Sequence, residues 1–184
     1  MTMPIYDHVP TFDLYPGPEA RLRTLHSGMP ITSILDVGSG HGGVFDHAYW
    51  CNREGMFRRV CCDIAHCRDA GPLWEHRDGI DVLELSKHFG EQSFDVVQCM
   101  ECLEHVSDPR KALEQLVKIA RKLVVITSAD EMHHLGEPQE AMEKINPHCK
   151  YLAQPSVKDM EELGFVVRVE AKYRRQLVAW KVMV

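Results

Sequence analysis

The sequence predicts an α/β fold: one domain built on a doubly wound, mostly parallel sheet. Three observations carry that expectation. Short apolar runs alternate with segments of helical spacing along most of the chain. One run, 33–37, feeds a glycine-rich turn and then an amphipathic stretch, the strand–turn–helix arrangement of nucleotide-type binding units. The third is size. A chain of 184 residues, 45% hydrophobic and 26% charged, supplies the core of a single domain.

Each element follows from local pattern. Residues 1–30 are the least regular and read as an extension or cap. Pro4, Pro10, Pro16 and Pro18 favour extended chain and turns there. A short helix near 19–27 is stopped by Gly28 and Pro30. The domain proper runs over 31–184, and its first strand is 33–37. After the turn, Val44, Phe45, Ala48 and Tyr49 mark a helix. A second strand covers 59–63, a short third one 79–82, and the fourth 94–99. Asp108 caps the next helix, and Pro109 fits its first turn, where no N–H is required. Leu113, Leu116, Val117 and Ala120 recur there at helical spacing. A fifth strand follows at 123–127, and the polar stretch 129–155 reads as a substrate-side insertion. Ser156-Val157-Lys158-Asp159 resembles a capping box that opens a short helix, which Gly164 closes in a left-handed conformation. Two last strands, 165–169 and 177–182, are joined by a basic turn from Lys172 to Arg175. That link is too short for a crossover helix, so the pair should be an antiparallel hairpin.

Composition narrows the function. Lys+Arg 21 against Asp+Glu 27 gives a net charge of −6. That balance opposes binding of bare nucleic acid, which needs clustered cations on phosphate. No apolar run approaches the ~18–20 residues of a membrane span, and residues 1–18 lack the apolar core of a signal peptide. Seven cysteines, an odd number at irregular spacing, point to a reduced cytoplasmic protein.

The chemistry concentrates in Asp36-Val37-Gly38-Ser39-Gly40-His41-Gly42-Gly43. Glycines suit a turn with unusual dihedrals against which a ligand packs closely. The helix that follows presents free N–H groups and a partial positive charge. Gly38, Gly40 and Gly43 also satisfy the dinucleotide pattern, with Asp63 lying 63 − 38 = 25 residues on, near the expected ribose-binding acid. Asp36 opposes that reading. A carboxylate at the strand end repels a pyrophosphate and welcomes an ammonium group. The C-terminal hairpin is likewise not required by a dinucleotide domain.

The stretch Asp36 to Gly42 resembles the first motif of the class I S-adenosylmethionine-dependent methyltransferases. Asp63 resembles their ribose-binding acid, and Asp81-Val82 the residues that meet the adenine amino group and ring. The run from Ser93 to Val106, with Ser107-Asp108-Pro109 after it, is similar to the fourth-strand signature of the small-molecule branch. The resemblance spans about Ile34 to the C-terminus and is weakest over 129–155. It implies a seven-stranded sheet of order 3-2-1-4-5-7-6 with strand 7 antiparallel and helices on both faces. It also implies S-adenosyl-L-methionine as cofactor and S-adenosyl-L-homocysteine as product. Asp36 would then receive the ammonium, and the backbone of Gly38, Ser39, Gly40 and Gly42 would pack on the amino-acid portion and ribose. Asp63 would accept both ribose hydroxyls, Ile64 would lie on the adenine face, and Asp81 with the Val82 backbone would read the adenine edge. Cys99, at the end of the fourth strand, completes the cofactor set.

On the acceptor side, His105 is the candidate catalytic base, with Glu101, Glu104, His133 and His134 as further general-base candidates. Met100, Glu101 and His133 are the candidate substrate residues. Tyr15, Arg21 and Arg23 would belong to the N-terminal cap. The cluster Cys61-Cys62-Asp63-Ile64-Ala65-His66-Cys67 does not read as a metal site, because Cys61 and Cys62 should point to opposite faces of a strand. A small-molecule acceptor is expected, and a protein acceptor if the site is open. Two alternatives stand beside this reading: an NAD(P)-binding oxidoreductase using the same glycines, and a catalytically silent methyltransferase-like binding module.

Overall fold

The computed structural model describes residues 30–40, 55, 58–65, 73–129, 152–153, 155–170 and 176–183. Seven strands form one sheet in the order β3-β2-β1-β4-β5-β7-β6. They are β1 Ser33–Val37, β2 Arg58–Asp63, β3 Glu75–Asp78, β4 Phe94–Met100, β5 Ala120–Ala129, β6 Val166–Glu170 and β7 Gln176–Val182. The pairings β1·β2, β1·β4, β2·β3 and β4·β5 are parallel, whereas β7 runs antiparallel to both β5 and β6. This is the expected doubly wound topology, final hairpin included.

Burial explains why the central strands read as continuous apolar runs. Every residue of β1 and β4 is buried, so both faces of the sheet are covered, as parallel strands require. On one face Leu35, Val37, Val60, Val97, Cys99 and Val124 join the main core. On the other, Ile34, Cys61, Val96, Met100, Leu123 and Val125 form a second cluster with Trp74. Cys61 and Cys62 fall on opposite faces, as alternation along a strand demands.

Three described α-helices are α1 Leu85–His88, α2 Pro109–Ile119 and α3 Val157–Glu162. Helix α2 starts where its cap dictates. The Asp108 carboxylate accepts the Lys111 N–H at 3.0 Å, and Pro109 occupies the first turn. Ala112, Leu113, Leu116 and Ile119 supply its buried face. Helix α3 opens on Ser156, whose hydroxyl accepts the Asp159 N–H at 3.3 Å, and it ends at Gly164 with φ +82°. Arg110 of α2 bridges to Asp159 and Glu162 of α3 at 2.5 and 2.8 Å, joining the two helices.

One element differs from the expectation. The third strand is Glu75–Asp78, not 79–82. The apolar alternation at Ile80 and Val82 is real, but Gly79 turns the chain at φ +70°, and Asp81 caps a 3-10 turn at Val82–Glu84. Ile80 and Val82 thus enter the core from a turn. The true strand is a sheet edge with largely exposed polar residues, so burial imposes no apolar pattern on it. Ala120, expected on the helix, instead begins β5, which is longer than the apolar run at 123–127. The helix expected at Val44–Tyr49, the basic turn 172–175 and residues 1–29 lie outside the described residues.

Candidate functional site

The glycine turn is stitched to the end of the neighbouring strand. The N–H groups of Gly38 and Ser39 both donate to the Cys62 carbonyl, at 2.9 and 3.2 Å. Gly38 and Gly40 adopt φ +69° and +58°, the left-handed region that favours glycine. Gly38 is also sterically required. A Cβ there would lie 2.3 Å from Cys102 Sγ and 2.7 Å from Cys102 Cβ. The turn therefore packs directly on the loop that leaves β4.

That stitching brings Asp63 under the turn. One of its carboxylate oxygens accepts the Gly40 N–H and the other the Ala65 N–H, both at 2.8 Å. The carboxylate is thus held in a fixed orientation, and each oxygen retains accepting capacity. The β2·β3 pairing continues past the strand end, with the Ile80 N–H donating to the Asp63 carbonyl at 3.0 Å. This sets Asp81 next in line, its carboxylate accepting the Leu83 N–H at 2.8 Å. Asp36 is buried at the end of β1, in register with Cys61 on one side and Gln98 on the other. Three aspartates therefore stand at the carboxyl edge of β1, β2 and β3. Ligands of open α/β sheets bind at that edge.

The other expected cofactor residues are placed as follows. Ser39 is buried, with its hydroxyl 3.5 Å from the Cys62 carbonyl. Ile64 is exposed just beyond Asp63, free to meet a flat ring. The Val82 side chain lies in the main core, so only its backbone is available to a ligand. Cys99 is wholly buried in the same core. The adjacent Cys102 thiol and burial push its thiol well up, as do the charges of Glu104 and Asp36. Gly42 lies outside the described residues.

Beyond β4 the chain bends sharply. Glu101 has φ +49°, and its N–H donates to the Thr127 carbonyl of β5 at 2.9 Å. Met100 is buried in the second apolar cluster, and His105 closes a 3-10 turn at Leu103–His105 with its side chain half-buried. His133, His134, Tyr15, Arg21 and Arg23 are outside the described residues. Among those described, no three His, Cys, Asp or Glu side chains gather as a metal-binding group.

Long-range contacts that no local pattern marks complete the site. Cys102 fills the space under Gly38. Glu104, a base candidate by position, is buried, and its carboxylate accepts the Ser128 hydroxyl at 2.9 Å. Its carbonyl also accepts the Leu152 N–H at 2.9 Å, so Glu104 ties the loop to the end of β5 and to the returning chain. No local spacing marks Ser128 or Leu152, because their partner is distant in sequence.

Comparison with known proteins agrees with this geometry. Residues 15–169 match the family model described as a methyltransferase domain. A ubiquinone biosynthesis O-methyltransferase of Methylococcus capsulatus is 29% identical over 122 residues, covering 56% of this chain and 51% of that protein. One of the same description from Hahella chejuensis is 31% identical over 106 residues, covering 52% and 41%. The chain thus spans about half the length, or less, of the curated relatives it matches. Among solved structures, a SAM dependent methyltransferase from Aquifex aeolicus superposes with a TM-score of 0.61 at 18% identity, covering 91% of this chain and 89% of that one. The fold, the glycine turn with its row of aspartates, and a family match over most of the length converge: this chain belongs to the methyltransferase domain family.

Proposed function

We propose that this protein transfers a methyl group from S-adenosyl-L-methionine to a hydroxyl oxygen of a small-molecule acceptor. The observation that carries the reading is the row Asp36, Asp63 and Asp81 at the carboxyl edge, with Asp63 held by the Gly40 and Ala65 N–H groups. A pyrophosphate would meet the buried Asp36 carboxylate, whereas an ammonium is attracted to it. This favours S-adenosylmethionine over NAD(P). The O-methyltransferase description of both curated relatives supports oxygen as the acceptor atom.

The cofactor would supply a methyl group made electrophilic by a sulfonium. The chain's part is to bind and align. Asp36 holds the ammonium, and the backbone of Gly38, Ser39, Gly40 and Gly42 lies against the amino-acid portion and ribose. Asp63 takes the ribose hydroxyls, Ile64 covers the adenine, and Asp81 with the Val82 backbone reads the adenine edge. Cys99 acts from below, through the core contact with Cys102. Met100, Glu101 and His133 are assigned to the acceptor. His105 is assigned the proton lost by the acceptor hydroxyl, since attack by a neutral hydroxyl requires a base. Alignment of the reacting groups can supply up to ~7–11 kcal/mol of barrier lowering. Residues 31–184 constitute the domain, with 1–30 as a cap and 129–155 as the segment that chooses the acceptor. The irregular cysteine spacing and the four free cysteines among the described residues support a cytoplasmic setting. No described helix is long and apolar enough to cross a membrane.

Calorimetric titration with S-adenosylhomocysteine tests the reading. The wild type should bind it, and Asp63→Ala should bind about 10–100-fold more weakly, the loss expected for charge-assisted hydrogen bonds. Unchanged affinity in the variant would remove the ribose assignment. NAD(P) binding without S-adenosylhomocysteine binding would overturn the function.

A further inference from the structure

Thr127 is wholly buried, yet among the described residues its hydroxyl oxygen has no hydrogen-bond partner. A buried polar group left unpaired is costly, and most native ones are paired. Valine would fill the same space without that cost. The hydroxyl is therefore a polar group that no described residue pairs.

Its position says what the partner is. Thr127 stands near the carboxyl end of β5, in register with Met100 of β4. Alternation puts it on the same sheet face as Leu123 and Val125, and as Val96 and Met100 of β4. Gln98 and Asp36 are buried on that face too, in register with each other. The Thr127 backbone is pinned, because its carbonyl accepts the Glu101 N–H at 2.9 Å. The sheet order then gives a direction. Asp36 and Asp63 lie at the carboxyl ends of β1 and β2, Asp81 lies just past β3, and the next strands are β4 and β5. A cofactor laid along those aspartates leaves the edge of β4 and β5 for the second substrate.

We propose that the Thr127 hydroxyl is an acceptor-binding group that pairs with an oxygen of a small hydroxylated acceptor and selects it over an apolar analogue. This rests on the methyltransferase reading. A hydroxyl both donates and accepts, so it matches a hydroxyl or phenolate partner. A site built to pair a substrate hydroxyl also rejects strongly the analogue that lacks one.

The test uses the full chain as wild type, Thr127→Val and Thr127→Ser. Thermal unfolding without ligand, S-adenosylhomocysteine titration, and transfer of radiolabelled methyl from S-adenosylmethionine to 3,4-dihydroxybenzoate are measured for each. Removing an unpaired buried hydroxyl should raise the Tm of Thr127→Val by a few degrees. Its S-adenosylhomocysteine affinity should stay within about twofold of wild type, while its KM for the phenol rises at least about tenfold. Thr127→Ser should keep a KM near wild type. A lowered Tm in Thr127→Val would show that the protein itself satisfies the hydroxyl, and would overturn the inference. So would an unchanged KM, or a wild type that binds S-adenosylhomocysteine but does not methylate the phenol. A wild type that fails to bind S-adenosylhomocysteine overturns the methyltransferase reading instead.

Discussion

Gly38 shows how a single residue joins the two halves of the site. Its φ of +69° costs an L-residue about 1–2 kcal/mol. Its missing side chain makes room for Cys102, whose Cβ and Sγ would sit 2.7 and 2.3 Å from an added Cβ. The Sγ can swing aside by rotation, but the Cβ cannot retreat without moving the loop that carries Glu101 and His105. Gly38→Ala should therefore cost more than about 2 kcal/mol, the sum of backbone strain and overpacking. In a chain of this size that is a Tm loss of roughly 4 °C or more. Adding Cys102→Ala should restore only part of it, because the Cβ contact and the φ remain. A Gly38→Ala protein with wild-type Tm in calorimetry would show that the turn and the β4 loop are not in fact locked together. The glycines were legible as a binding turn from their spacing. Their steric partner was not, since a contact between residues 38 and 102 leaves no local pattern.

At the scale of elements, legibility followed burial. Strands β1 and β4 are buried on both faces and announce themselves as apolar runs. Helix α2 announces itself by its cap and its apolar spacing. The edge strand β3 has no buried stripe, and its sequence Glu75-His76-Arg77-Asp78 reads as loop. The apolar residues just after it belong to a turn capped by Asp81 and imitate a strand. Asp81 nevertheless stays in the candidate site, because the shift moves the strand and leaves the residue after its end. Helix α2 also links the cap to the site, since the Asp108 turn follows His105 by three residues. Asp108→Ala should cost about 1 kcal/mol, the usual loss of an N-cap, read from the midpoint of urea unfolding. Asp108→Asn should retain most of the stability, because asparagine caps nearly as well. Equal losses in both would mean the Lys111 N–H bond is not the stabilising contact.

The whole molecule assigns different chemistry to the two ends of its sheet. The candidate ligand-binding aspartates gather at the carboxyl edge, and the amino edge is closed by an internal ionic network. Its centre is Asp95, buried in β4 where the register against β5 slips between Phe94 and Val96. The Asp95 carboxylate accepts from the Thr32 N–H and hydroxyl at 2.8 and 2.9 Å and from Arg121 at 2.9 Å, with Lys122 at 3.1 Å. Its own N–H donates to the Ser33 hydroxyl at 2.9 Å. One side chain thereby joins the starts of β1, β4 and β5. Burial alone would raise its pKa, but the Thr32 and Lys122 contacts outweigh burial and hold the carboxyl below its ordinary value. A pKa lowered in the folded state stabilises the fold above the unfolded value, near ~3.9 for aspartate. That contribution is lost as pH falls through the folded pKa. Asp95→Asn should therefore destabilise the protein by about 1.5–3 kcal/mol at neutral pH, the worth of hydrogen bonds to a charged group. The gap between wild type and variant should stay constant above about pH 5 and narrow below about pH 4. Urea unfolding of both proteins across that range measures it. A gap that stays the same down to pH 3 would show that the Asp95 charge does not hold the three strands together.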